Sequence, residues 1–528
     1  MSYPYKNFRE WILEEEKLGN VLRINAPIKC GDYSNIVDIG GDVPGKIPET
    51  ELRAFSCYLH SLPQKPIGII ENPVNNRPDI PLVVNCWPGR ERTLRALGCK
   101  DKEELAERFR NYKAKKIKPV KVAKSAAPCK QVVISEEKID LRKDIPRCWL
   151  ENQQGLWSTC NGVFVVYDPE TNTHDLGNWR SGQYEWKDAD PTKPFPEEIL
   201  KKRMFATLIY HGPIQSDGGK YYRENYRQRN KPMPVAVALG LPTDCHTVAA
   251  GHAAWHWPED GDEYEILGGF RGEPVEVVES ETIPGLMVPS QAEWVIEGEF
   301  LPENEIMPPY AEDVASGHVF GGEGCPILNV KCITHRKDPW WTFTWSQSGL
   351  NGHEGVHTGL YMGWEIEALN HLRACGYKVK DIAMTWDFEV VVVQLEVDGM
   401  MKPYPYYGRS VLQALISGPS VLCGPCSKYL IAVGPDINPY DWSDVIWALG
   451  TRTMPASDSI IIEKGLCEWG DPGGLVGPLG WKLYGEQMMI DATIKIPERY
   501  ESFLPRSEPV KWEKEAVRQI REKIEKHK

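Results

Sequence analysis

Val163-Phe-Val-Val-Tyr167 is a run of β-branched and aromatic residues followed by Asp168-Pro169. It is too short for a helix and reads as a buried strand. Val235-Ala-Val-Ala-Leu239 and Glu293-Trp-Val-Ile-Glu297 read the same way. From about Gln131 to Ile333 such runs recur with frequent Gly and Pro punctuation. That pattern predicts a β-rich domain in the form of a partly open barrel.

On the N-terminal side, residues 5–19 place Phe8, Trp11, Ile12 and Leu18 on one face of an amphipathic helix that Gly19-Asn20 ends. Short strands are expected at Ile67–Ile70 and Leu82–Val84, and a helix from about Glu91 to Arg110. Lys113 to Lys124 holds six lysines in twelve residues and reads as a solvated linker. After about His335 helices and strands alternate: His357–Ala374 and Ser410–Ser417 as helices, Phe388–Val397 and Tyr429–Val433 as strands, Trp442–Leu449 as a helix. The tail sets Trp512, Val517, Ile520 and Ile524 at helical spacing, as a surface helix that docks elsewhere in an assembly. The fold class expected is α+β, with an N-terminal α/β domain over 1–125, a β-barrel domain over 126–333, a C-terminal α/β domain over 334–500 and a helical tail over 501–528.

Composition narrows the function classes. The 528 residues carry 61 Lys+Arg against 74 Asp+Glu, a net charge of −13, so a nucleic-acid partner is not expected. The longest apolar stretches, such as Val390–Val393, are too short to span a membrane. Met1-Ser-Tyr-Pro-Tyr-Lys6 has no apolar signal run, and 14 cysteines in so long a chain read as reduced thiols. The expected location is therefore cytoplasmic. The 19 Trp and 22 Tyr suit cores, interfaces or an aromatic pocket.

Three motifs invite a chemical reading. His353-Glu-Gly-Val-His357 matches the H-E-x-x-H zinc pattern, with His371 or Glu367 as a third ligand. Asn351-Gly352 before it and Gly355 inside it favour a helix-capping segment. Cys423-Gly-Pro-Cys426 resembles a dithiol redox motif but sits between a helix and the next strand, which favours a packed turn. Cys245-His246 with His252 and His256 fits no standard zinc spacing and reads as a His/Trp-rich loop. Glu293 and Glu297 share one strand face, read as solvated.

Five separated blocks, in order, resemble the UbiD family of prenylated-flavin-dependent (de)carboxylases. They are Leu176-Gly-Asn-Trp-Arg180, Pro234-Val-Ala-Val-Ala-Leu-Gly240, Pro289-Ser-Gln-Ala-Glu-Trp-Val-Ile-Glu-Gly-Glu299, Asp441-Trp-Ser-Asp-Val-Ile-Trp-Ala-Leu449 and Ile490-Asp-Ala-Thr-Ile-Lys495. The resemblance implies a split β-barrel holding prenylated FMN between an N-terminal α/β segment and a C-terminal α/β oligomerisation domain.

The resemblance also implies roles. Asp175 stands where the family has an Asn, and with His211 and Glu263 would hold a divalent cation on the flavin phosphate. Mn²⁺ or Mg²⁺ suits such donors, with K⁺ as a further ion. Asn178 and Trp179 fall where the family contacts flavin. Arg180 matches the Arg of the catalytic trio, a fork suited to a carboxylate and able to bind the flavin cofactor as well, and Glu312 matches the proton donor. The first Glu of that trio is Met307 here, with Glu305 as the nearest substitute. Losing a carboxylate neighbour lowers the Glu312 pKa and an apolar wall raises it, so the net sign stays open. Ala189–Lys202 reads as an insertion. Met307, Phe343 and Trp345 are candidate pocket walls, in a Trp-rich stretch that includes Trp340 and Trp341.

The function implied is a reversible, non-oxidative carboxy-lyase acting on an aromatic or conjugated acid and CO₂, with a lean toward the anaerobic arene and phenylphosphate carboxylase branch. Expected partners are a flavin prenyltransferase, a second copy of the chain (dimer or hexamer) and accessory carboxylase subunits. The competing functions are a cofactor-poor partner subunit, suggested by Met307, and a zinc hydrolase built on His353 and His357.

Overall fold

The structure is a computed structural model. It describes residues 4–39, 45–87, 89–112, 115–151, 155–206, 208, 216–250, 257–303, 311–312, 319–320, 325–343, 358–385, 389–398, 401–420, 423–467, 473–476, 482–495 and 514–526. Its centre is a seven-stranded sheet in the order Arg203–Ala206, Thr173–Gln183, Leu156–Asp168, Met233–Leu239, Trp294–Phe300, Ile327–His335, Val132–Ser135. Every neighbouring pair is antiparallel, and Arg203–Phe205 also pairs with Ile327–Asn329.

Both faces of this sheet are buried, which explains its nearly continuous apolar runs. Side chains alternate between two cores, as a strand period of two requires. Phe164, Val166, Trp179, Val235, Val237, Ile296 and Phe300 enter one cluster. Val163, Val165, Leu176, Ala236, Ala238 and Val295 enter the other. The second is covered by helices Lys102–Tyr112, Thr243–Ala250, Glu263–Arg271 and Thr358–Ala374, which contribute Phe109, Val248, Leu267 and Ile366.

Flanking sheets complete the α+β fold. Val21–Ile24, Ile67–Ile70, Leu82–Val84 and Trp341–Phe343 form a four-stranded sheet, whose last strand is supplied by chain beyond the central sheet. Helix Phe8–Lys17 starts at Asn7, whose side chain accepts from the Glu10 amide. It buries Phe8, Trp11 and Ile12, and Trp11 stacks on Trp87 at 6.2 Å. Toward the C-terminus, Val379–Met384, Val390–Leu395, Tyr429–Val433, Lys482–Ala492 and Ser459–Leu466 make another sheet. Helix Trp442–Arg452 begins at Asp441, which accepts from the amides of Ser443 and Asp444. The tail helix spans Lys514–Glu525, with Ile520 and Ile524 exposed. No described helix is long and apolar enough to cross a membrane.

Three expectations need correction. The helix read over Glu91–Arg110 is two, Arg90–Ala96 and Lys102–Tyr112, because Gly98 turns left-handed at φ 65°. The basic stretch is solvated, with Lys115, Lys116, Lys118, Lys121 and Lys124 exposed, but it is not a free linker. Val120–Lys121 pairs with Glu276–Val277, and Lys121 and Lys124 bond Glu279 and Glu281 at 2.6 and 2.8 Å. Glu293 and Glu297 are not solvated: both are 0% exposed. Arg9 forks onto Glu293 at 2.8 and 2.7 Å. Lys130 reaches Glu297 at 2.8 Å, and Ser280, Thr282 and two backbone amides bond the same carboxylate. Buried charge persists only when paired and hydrogen-bonded in this way.

Candidate active site

Strand Thr173–Gln183 carries Asp175, Asn178, Trp179 and Arg180. Alternation puts Asp175 and Trp179 on one face, Asn178 and Arg180 on the other. The pairing with Leu156–Asp168 slips between Trp179 and Ser181, the two residues that flank Arg180. Such irregularities re-aim side chains beside active sites.

Asp175 and Glu263 come together at the N-terminus of helix Glu263–Arg271. Asp262 ties strand to helix there: it caps the helix through the Tyr264 amide at 2.8 Å and accepts the His174 amide at 3.1 Å. Its Oδ2 also meets His174 Nδ1 at 2.7 Å, while His174 Nε2 accepts the Met287 amide at 3.0 Å. The imidazole therefore carries its hydrogen on Nδ1. Glu263 follows as the first helical residue and accepts the Leu176 amide at 2.5 Å. Burial pushes the Glu263 carboxyl well up, and repulsion from Asp175 adds to it. Burial likewise raises Asp175, with Asp217 adding repulsion and the Gly218 amide pulling the other way. Asp175 is 5% exposed, and its Oδ2 has no hydrogen-bond partner among the described residues. Gly218 packs on it so closely that a Cβ would lie 2.5 Å from Oδ2.

Two buried carboxylates that repel each other, one with a bare oxygen, fit a hard cation bound through oxygen. His211, the expected third ligand, lies outside the described residues. Among those described, no group of three or more His, Cys, Asp or Glu is arranged to hold a metal.

Asn178 is half-buried, and its Oδ1 lies 3.3 Å from His246 Nδ1. His246 sits on helix Thr243–Ala250 and is wholly buried. Trp179 is buried against Phe164 at 5.1 Å between ring centres. Arg180 is half-buried. Glu312 lies in the short strand Ala311–Glu312, which pairs with Val319–Phe320; its side chain is outside the described residues. Met307, Glu305 and Trp345 are outside them too. Phe343, read as a pocket wall, is 2% exposed in the same interior cluster as Trp179.

The competing motifs fare as follows. His353 and His357 lie outside the described residues, while His371 Nε2 faces the Ala414 carbonyl oxygen at 3.3 Å. Cys423 and Cys426 are buried, and burial raises the Cys423 thiol, the opposite of a reactive thiolate. His246 belongs to a helix rather than a loop, and His252 and His256 lie outside the described residues. Sequence reading missed Asp217, Asp262 and His174. The Asp262-Glu263 pair and the Gly218-Gly219 step were the available signals.

Two family models match the chain. Residues 120–348 match the 3-octaprenyl-4-hydroxybenzoate carboxy-lyase Rift-related domain, and residues 361–492 the corresponding C-terminal domain. The fold is similar to vanillic acid decarboxylase of Sedimentibacter hydroxybenzoicus in open form, at TM-score 0.74 and 21% identity over 99% of each chain. It is also similar to the UbiD-class enzyme HmfF of Pelotomaculum thermopropionicum in complex with FMN, at TM-score 0.72 and 20% identity over 95% of this chain and 97% of that one. The apo 3,4-dihydroxybenzoic acid decarboxylase of Klebsiella pneumoniae matches at TM-score 0.72 and 19% identity, over 97% and 99%.

Proposed function

The chain belongs to the UbiD family of carboxy-lyases, and from that premise we propose that it is a prenylated-FMN-dependent, reversible (de)carboxylase of an aromatic or conjugated carboxylic acid. The observation that carries the reading is the Asp175–Glu263 pair: two buried, mutually repelling carboxylates with one unsatisfied oxygen. Solved relatives with this fold include decarboxylases of vanillic and 3,4-dihydroxybenzoic acid and an enzyme bound to FMN or prFMN. The additional pairing of Arg203–Phe205 with Ile327–Asn329 supports reading the central sheet as the family's split barrel.

In this reading Asp175, Glu263 and His211 would hold Mn²⁺ or Mg²⁺, and Asn178, Trp179 and Arg180 would hold the flavin. When bound, the prenylated flavin supplies an electron sink for the bond that breaks as CO₂ leaves. Arg180 grips the substrate carboxylate through its guanidinium fork and sets the ring against the cofactor. Glu312 delivers a proton to the carbon that loses CO₂, acting as general acid. In the carboxylating direction the same groups act in reverse: Glu312 accepts that proton and Arg180 positions CO₂. The active form is a homo-oligomer.

The test is co-expression with a flavin prenyltransferase, followed by turnover of vanillate and 3,4-dihydroxybenzoate in D₂O. A flavin-like absorption with deuterium entering the product at the decarboxylated carbon is expected. Glu312→Gln should keep the flavin and stop the exchange; unchanged exchange removes Glu312 from its role. Stoichiometric zinc without flavin supports a hydrolase built on His353 and His357 instead. A folded protein that takes neither supports the partner-subunit reading.

A further inference from the structure

We propose that His246 is a positioning residue of the cofactor cradle, fixing the Asn178 amide so that its N–H pair is turned to the ligand. The inference rests on the reading of Asn178 as a flavin contact. His246 is 0% exposed, and its Nδ1 lies 3.3 Å from Asn178 Oδ1. Its Nε2 has no hydrogen-bond partner among the described residues. Burial pushes the imidazole down to about 3, so the ring is neutral and carries one hydrogen. In the proposal that hydrogen sits on Nδ1, the nitrogen that faces the Asn178 amide.

The ring is held on several sides. Trp87 packs on it at 4.8 Å between ring centres and donates to Thr243 Oγ1 at 3.0 Å. The two preceding residues, Asp244 and Cys245, are both bound by the buried Arg271 guanidinium. The imidazole is therefore fixed in place, with Nδ1 against the Asn178 amide. A phenyl ring would fill the same space without leaving a buried nitrogen unsatisfied, which is unfavourable. What the imidazole adds is one N–H, and Asn178 receives it.

An amide free to flip presents a carbonyl or an NH₂ with little preference. Donation from His246 to Oδ1 selects one orientation. Among the described residues the Asn178 amide has no other hydrogen bond, and the residue is half-buried. Its NH₂ is left to face a bound group. The C2 and C4 carbonyl oxygens of an isoalloxazine are acceptors of the matching kind, so the pair reads as a donor aimed at a flavin carbonyl.

The experiment titrates FMN into metal-supplemented full-length protein, following flavin fluorescence, for His246→Asn, His246→Gln and His246→Phe, each alone and with Asn178→Ala. An Asn amide reproduces the Nδ1 position and a Gln amide the Nε2 position. His246→Asn should bind within about threefold of wild type, while His246→Gln and His246→Phe weaken FMN about tenfold, the scale of one lost hydrogen bond. In the Asn178→Ala background His246→Phe should add nothing. Equal weakening in both backgrounds, retention by all three variants, or retention by Gln with loss by Asn each overturns the proposal. Should His246→Phe not fold, the Asn and Gln variants still decide it. Failure of the wild type to bind FMN would count against the cofactor reading itself. The His246–Asn178 bond is then judged separately by ¹⁵N imidazole spectra from about pH 5 to 8. An Nδ1–H tautomer that changes on Asn178→Ala sustains it, and an Nε2–H tautomer refutes it.

Discussion

Asp175→Asn removes one negative charge from the buried pair while keeping its shape. In metal-free protein burial raises both carboxyls, and repulsion adds to it, from Asp217 at Asp175 and from Asp175 at Glu263. An acid whose folded pKa is raised binds its proton more tightly folded than unfolded, so stability falls as pH rises through that interval. Below the ordinary Asp value of 3.8 both states are protonated and no penalty exists. At neutral pH the penalty is largest. Each pKa unit of upward shift corresponds to about 1.4 kcal/mol, so Asp175→Asn should stabilise the metal-free protein by at least that much near pH 7.5. The gain should vanish toward about pH 4. Metal inverts the sign: with Mn²⁺ or Mg²⁺ the wild type gains more than the variant, because the cation neutralises the repulsion. Urea unfolding at both pH values, with chelator or with metal, measures all four states. A variant less stable than wild type in chelator at pH 7.5 refutes the argument.

Other outcomes follow from particular contacts. Gly218→Ala puts a Cβ 2.5 Å from Asp175 Oδ2 and 2.7 Å from the Trp179 ring; overpacking of this kind costs about 1–3 kcal/mol, and metal uptake by mass spectrometry should drop with it. Lys130→Met leaves Glu297 charged and buried, for a loss of about 3–5 kcal/mol at pH 7 by urea unfolding. Burial works against the Glu297 charge, but Lys130 and the surrounding donors hold its carboxyl below the ordinary value. Wild-type stability from that group is present above about pH 4.3 and lost in acid, so the gap to the variant should narrow there. Cys423→Ser with Cys426→Ser should leave turnover unchanged in a decarboxylation assay, because burial keeps the Cys423 thiol protonated.

The central strands were legible because both faces of their sheet are buried. Val163–Tyr167 and Val235–Leu239 had to be apolar throughout, because their side chains alternate between two interior clusters. The break at Gly98 was legible in principle, as a glycine past a helix end. Glu293 was not: its fork comes from Arg9, 284 residues away, and no local pattern reveals such a partner. The basic stretch was read correctly as exposed, but its ion pairs were hidden for the same reason, since the acids that face Lys121 and Lys124 lie more than 150 residues on. Within the site, Asp175 and Glu263 emerged only through family resemblance. Spacing cannot show that Asp262 staples one strand to one helix. His246 was visible as a residue type but not as a partner of Asn178, a contact made across sheet and helix.

Paired native and denaturing mass spectrometry of protein co-expressed with a flavin prenyltransferase tests the cofactor-and-metal reading most directly. One prenylated FMN and one divalent cation per chain are expected in the wild type, with both lost together in Glu263→Gln. A wild type that carries neither, or a Glu263→Gln variant that retains both in full, would contradict it.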